Sequence, residues 1–257
     1  MNNDFPKIIH QLWIGKKKKP NIFLDEWKIY VKNNKDWEYK FWDEKEIEKI
    51  DFKCKHFFEY EISKNDYPAA SDHIRYEILY KYGGLWCDAD SVPMNNKSMN
   101  FFIDNLDKNQ DAFFFYEPLT QWQGKKLIGN SIIGSKKNSK ILKIITDYFS
   151  NISLEEYKKN QNPNWIKTGP VAVTNLIRDN NLEFNSCKIY DSKYAFPVQF
   201  HGITDIKYHK KYSFPESYIF NYGYSTSGLH NYVGGRYINH FEVTSLLSKI
   251  IEKKKIL

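Results

Sequence analysis

Asp88 and Asp90, two carboxylates separated only by Ala89, are the residues whose type and spacing most directly suggest chemistry in this chain. Residues 85–87 read as a short strand running straight into Asp88. Positions i and i+2 can point the same way there only if the chain turns, which a loop leaving a strand allows. Two carboxylates held together repel unless a cation lies near them, and hard oxygen ligands suit Mn²⁺ or Mg²⁺. Such an ion stabilises the growing negative charge of a departing diphosphate.

A second pair precedes the first. Asp72 and Arg75 stand three apart, hence on one face of a helix. Alone they would read as a surface ion pair worth about 0.2–0.5 kcal/mol. One helix before Asp88, they read instead as a carboxylate that accepts hydrogen bonds from sugar or ribose hydroxyls beside a guanidinium that donates them. Ile74, Ile78, Leu79 and Tyr82 recur at helical spacing, predicting a helix over residues 70–82 that Gly83 and Gly84 stop.

The elements around these residues alternate. Strands are predicted at 7–14, 38–42, 85–87, 112–116 and 131–134. Helices are predicted at 22–32, from an Asp43 N-cap through Ile50, at 139–149 and at 170–178, the last after Thr168-Gly169-Pro170. The alternation implies an α/β fold, Rossmann-like, with a mixed but largely parallel sheet flanked by helices. Ligands of such sheets sit beyond the carboxyl ends of the strands, where Asp88 and Asp90 emerge. No repeat or Pro/Gly/Ser linker divides the chain, so residues 1–257 are expected to form one domain. Residues 242–257 place Val243, Leu246, Leu247, Ile250 and Ile251 on one helical face before Lys253 to Lys255. That stripe suits either a terminal helix packed on the domain or an interfacial membrane helix with a basic collar.

Bulk properties narrow the class. Aromatic residues make up 17% of the chain, a content that suits stacking clefts but also follows from a composition rich in Lys, Ile and Asn. The net charge of +7 comes from scattered lysines without any nucleic-acid motif, which speaks for a solvated surface rather than nucleic acid. Cys54, Cys87 and Cys187 are an odd number without CxxC spacing, so a disulfide framework is not expected and a reducing compartment fits. The first residues lack the apolar core of a signal peptide, and no apolar run approaches the ~20 residues needed to span a bilayer. A cytoplasmic protein is expected, membrane-peripheral at most.

The segment Ser71-Asp72-x-x-Arg75, Leu79, Tyr82-Gly83-Gly84, Asp88-x-Asp90 resembles the central motif of glycosyltransferase family 32. That family includes fungal initiating mannosyltransferases, bacterial capsule and lipopolysaccharide enzymes and, distantly, the large clostridial glucosylating toxins. Residues 6–15 resemble its opening strand, with weaker echoes in Gly129-Asn130-Ser131 and Thr168-Gly169-Pro170. The resemblance implies a GT-A fold and Mn²⁺-dependent transfer of a hexose from a UDP- or GDP-sugar, generally with retention. The acceptor would be a glycan, a lipid-linked molecule or a protein. It implies that Trp13 stacks on the nucleotide base, although a core aromatic would read the same. Asp72, Arg75 and Asn130 would then hold the donor, Asp88 would contact ribose or sugar, and Asp90 would ligate the metal. His230 is the candidate for a third ligand, its imidazole suiting Mn²⁺. Trp86 and Cys87 depart from the family's more frequent Tyr and small residue, and the tryptophan often found after the third ligand is not evident. Acceptor loops are expected around residues 116–123 and 196–201.

Two rival readings stand beside this one. In a phosphatase-like hydrolase Asp88 would be the nucleophile, but the downstream paired-Asp motif of that chemistry is missing from the sequence. In a non-catalytic carbohydrate- or nucleotide-sugar-binding protein the carboxylates would bind without turnover.

Overall fold

The computed structural model describes residues 5–94, 97–183, 185–197 and 215–223. His230, the stripe at 242–257 and residues 198–201 of the second expected acceptor loop lie outside the described residues. In chain order the elements are β1 (Ile8–Leu12), α1 (Asn21–Asn33), β2 (Glu38–Trp42), α2 (Glu44–Glu48), α3 (Lys55–Ser63), α4 (Tyr67–Tyr82), β3 (Gly84–Cys87), β4 (Ser91–Pro93) and α5 (Asn100–Asp104). A long hairpin of β5 (Ala112–Trp122) and β6 (Lys125–Ser135) follows, then α6 (Lys140–Ser150), α7 (Leu154–Lys159), α8 (Asn164–Lys167), α9 (Pro170–Asp179), β7 (Cys187–Tyr190) and β8 (Ile219–Asn221).

Six strands form one sheet in the order β2-β1-β3-β6-β5-β7. β2, β1 and β3 are parallel, β5 and β7 are parallel, and β6 runs against both its neighbours. The expected α/β class, with a mixed and largely parallel sheet between helices, is borne out. Alternation along the strands feeds two cores. Trp86 and Phe114 join Ile74, Ile78, Ile141 and Ile145 on the α4/α6 side, while Leu85, Cys87, Phe113 and Phe115 join Trp27 and Phe102 on the α1/α5 side. A sheet covered on both faces in this way buries β3 throughout and β1 from Ile9 to Leu12, His10 and Gln11 included.

Helix α4 begins three residues before the expected start. Asp66 caps it by accepting the Ala69 N–H (3.2 Å), and Pro68 fits the first turn, where no intrahelical donor is needed. It ends as expected at Gly83, whose φ of +66° is open to glycine at little cost. Gly84 is required for a different reason: a Cβ there would lie 2.5 Å from the Ile8 carbonyl oxygen, so β1 could not approach β3. The hairpin strands run well beyond the expected 112–116 and 131–134, and β4, β7, β8 and the shorter helices carry no periodic signal of their own. Among the described residues no helix is long and apolar enough to cross a membrane.

His10 braces this part of the sheet. Its Nδ1 accepts from Trp42 Nε1 (3.1 Å), which leaves Nε2 to donate to the Gly83 carbonyl (2.8 Å). Burial pulls its pKa from 6.5 down to about 4, the Gly83 bond opposing and Lys40 adding to the fall. A depressed folded-state pKa gives stability that is complete above about pH 6.5 and is lost as pH falls through about 4, about 3 kcal/mol in all. Urea unfolding at pH 7.5 and pH 4.5 should therefore show the wild type losing about 2–3 kcal/mol more than His10→Gln. Equal acid sensitivity of the two proteins would exclude this role.

Candidate active site

The chain turns sharply on leaving β3, as the spacing of the two carboxylates requires. The Asp88 carbonyl accepts from the Ser91 amide (3.0 Å), the Ser91 hydroxyl (2.7 Å) and Gln11 Nε2 (3.2 Å). The Asp88 N–H donates to the Ser131 carbonyl of β6 (2.9 Å). Trp27 Nε1 donates to the Ser91 carbonyl (3.0 Å), and the Tyr222 N–H donates to the Asp90 carbonyl (3.1 Å). Residues 88–91 are thus held from β1, α1, β6 and the residue that follows β8.

Arg75 lies beneath this turn. Its guanidinium approaches Asp88 Oδ1 (3.1 Å) and Asp72 Oδ1 (3.4 Å), and donates to the Asn130 carbonyl (2.6 Å) and the Ser71 hydroxyl (3.1 Å). It also lies over the Trp86 ring, 5.4 Å from the centroid, while Trp86 Nε1 donates to Asp88 Oδ1 (2.9 Å). The Asp72–Arg75 pair, which spacing alone left as a weak surface contact, has side chains only 10% and 5% exposed. Asp72 is already engaged on both oxygens, by Asn130 Nδ2 (2.9 Å) and the Thr168 hydroxyl (2.7 Å). Asn130 Nδ2 also donates to the Tyr76 oxygen (2.9 Å), and Tyr76 donates to the Thr168 carbonyl (2.8 Å). Asn130 therefore has Oδ1, an acceptor, to offer a ligand.

Charge balance follows from this packing. Burial pushes Asp72 up to about 6 against the pull of Arg75 and its hydrogen bonds. Burial also raises Asp88, with Arg75 and Trp86 opposing. For Arg75 burial favours the neutral form, but the carboxylates of Asp88 and Asp72 outweigh it and hold the guanidinium charged.

Trp13, Asp72, Arg75, Asp88, Asp90 and Asn130 all line one cavity of about 660 Å³ beyond the carboxyl ends of β1 and β3. Trp13 sits just past β1, its indole N–H held by the Lys17 carbonyl (2.9 Å). Hard carboxylate oxygens suit Mn²⁺ or Mg²⁺: Asp88 has Oδ2 to offer once Oδ1 is engaged by Arg75 and Trp86, and Asp90 stands beside it. Among the described residues no group of three His, Cys, Asp or Glu side chains gathers, and His230, the expected third ligand, lies outside them. A smaller cavity of about 390 Å³ at α3 and α7 lies apart from this turn, and its buried Glu61 is paired with Lys167 (3.1 Å).

Several residues of the site escaped sequence reasoning. Trp86 was weighed only as a strand residue, although two positions before Asp88 on a strand means the same face. Thr168 was noted as a helix-start signal, not as a partner of Asp72. Asn221 and Trp165 also line the cavity, and nothing local in the sequence marks them. Removing the buried cation by Arg75→Met leaves Asp72 and Asp88 uncompensated and should cost about 3–5 kcal/mol in urea unfolding. The exposed Lys28→Met serves as control, with a change within about 0.5 kcal/mol. A loss below about 1 kcal/mol for Arg75→Met would show that the network does not carry stability.

Similarity to known proteins extends over part or most of the chain. Residues 21–112 match the model of the family described as "Glycosyltransferase sugar-binding region containing DXD motif". An uncharacterized glycosyltransferase of Acanthamoeba polyphaga mimivirus is 28% identical over 238 residues, covering 88% of this chain and 84% of the relative. Inositol phosphoceramide mannosyltransferase 3 of Schizosaccharomyces pombe is 33% identical over 92 residues, 33% of this chain and 24% of that protein. Among solved structures, the PaToxG glycosyltransferase aligns with a TM-score of 0.48 at 19% identity, over 68% of this chain and 70% of that one. The resemblance to DXD-containing sugar transferases is borne out.

Proposed function

We propose that this chain transfers a hexose from a UDP- or GDP-sugar to a hydroxyl of a carbohydrate acceptor, with retention, using Mn²⁺ or Mg²⁺ at Asp90. The observation that carries the reading is the pinned acidic turn, backed by a buried Arg75 and open to a cavity of about 660 Å³. Trp13 provides an aromatic wall for the base at one end. The free Oδ1 of Asn130, held in place by Asp72 and Arg75, provides an acceptor for a sugar hydroxyl, and Asp88 provides one for sugar or ribose. When bound, a divalent ion neutralises charge on the departing diphosphate.

In the reaction the bond from sugar C1 to the diphosphate oxygen breaks, and the electron pair leaves with the diphosphate. The acceptor oxygen bonds to C1 from the same face, and its proton passes to the departing group. No enzyme carboxylate need act as nucleophile. That suits Asp88, whose Oδ1 is held by Arg75 and Trp86 rather than poised for attack. At another part of the cavity wall Trp165 is 44% exposed, its ring edge-on to Trp122 at 5.3 Å. A fixed, solvent-facing indole is a platform for the C–H face of a sugar ring, which supports a carbohydrate acceptor.

The test is nucleotide release from UDP-glucose, UDP-galactose, UDP-N-acetylglucosamine and GDP-mannose with Mn²⁺ and with chelator. Release from one donor is expected, abolished by chelator and reduced at least about 100-fold in Asp90→Ala. Full activity of Asp90→Ala in chelator would reject the metal assignment. Donor binding with no turnover under either metal would favour a non-catalytic binding protein.

A further inference from the structure

Asn221 ends β8 in the wall of the same cavity and is 3% exposed. It pairs across the β4–β8 ladder with Ser91, whose amide and hydroxyl hold the acidic turn, and the next residue's N–H donates to the Asp90 carbonyl. Its Oδ1 accepts the Gly223 N–H at 2.8 Å, while its Nδ2 has no hydrogen-bond partner among the described residues. Exchanging the two ends of the amide would set an NH₂ group against the Gly223 N–H, donor against donor, so the hydrogen bonding fixes the orientation. Buried amide donors are almost always partnered, and one left open costs stability that an apolar side chain would not. Such a residue at the wall of a ligand cavity is the kind of feature a bound molecule completes.

The chemistry of that molecule follows from which end is left. An N–H donor does not ligate a cation, so its partner must be a hydrogen-bond acceptor. The Asp90 carboxylate lines the same cavity and attracts cations and repels bare anions, so an anionic oxygen belongs there only when it comes with a divalent ion. We infer that Asn221 donates from Nδ2 to a phosphate oxygen of the nucleotide donor's diphosphate. The identity of this ligand rests on the function proposed above. The bond strengthens as charge builds on the departing diphosphate, so Asn221 serves turnover as well as binding.

The test is calorimetric binding of UDP and GDP, and of uridine and guanosine, with Mg²⁺ present. Asn221→Asp keeps the acceptor for Gly223 and replaces the donor by an anionic oxygen; Asn221→Ala removes both. Asn221→Asp is expected to weaken the diphosphate that binds at least tenfold while nucleoside affinity changes less than twofold. Asn221→Ala should follow in the same direction, and the melting temperature of Asn221→Asp should stay within a few degrees of wild type. Equal losses for diphosphate and nucleoside would mean a merely structural role and overturn the inference. Undiminished diphosphate binding in Asn221→Asp would overturn it too, leaving the proposed function intact. A wild type that binds neither UDP nor GDP overturns both.

Discussion

A guanidinium that water barely reaches must be surrounded by its own counter-charges, and Arg75 is that group here. Its position on α4 fixes where Asp72 and Asp88 can lie, which carbonyl of β6 turns inward, and why a flat ring, Trp86, fills the remaining side. Two desolvated carboxylates facing one cavity would otherwise drive each other to the neutral state. The cation opposes that shift and holds both carboxylates in place, so the floor of the cavity is preorganised rather than assembled on binding.

What could be read from the sequence was what depends on near neighbours. Asp72 and Arg75 are one helical turn apart, Asp88 and Asp90 follow a strand end, and the glycines between them stop the helix; each relation spans a few residues. The sheet class followed from alternating patterns for the same reason. The unread parts depend on distant partners: Asn130 and Thr168 reach Asp72 across 58 and 96 positions, and no local pattern encodes that. The β5–β6 hairpin was shortened because Gln121, Lys125 and Lys126 interrupt its apolar alternation where it projects into solvent. Helices such as α5 and α8 are too short to establish a period.

The aromatic content has a mainly architectural use. Phe102, Phe113, Phe115 and Tyr190 meet at centroid distances of 5.0–5.9 Å under the sheet, mostly edge to face. Among the described residues few rings reach the cavity, and those that do (Trp13, Tyr67, Trp86 and Trp165) come from four different elements or loops. The three cysteines are likewise packing residues, all buried, with burial raising their thiols away from the reactive anion.

The pairing of β4 with β8 has a temporal meaning. Ser91 meets Asn221 across 130 positions of chain, whereas β5 and β6 are joined by a two-residue turn. Contacts that close long loops form late because the entropy of closure must be met before they are rewarded. The hairpin and α4 can therefore settle first, and the turn bearing Asp90 reaches its final register only when β8 arrives. Without β8 the acidic turn lacks both the Ser91–Asn221 pairing and the Tyr222 bond to the Asp90 carbonyl, so its final clamp waits on a stretch of chain more than a hundred residues away.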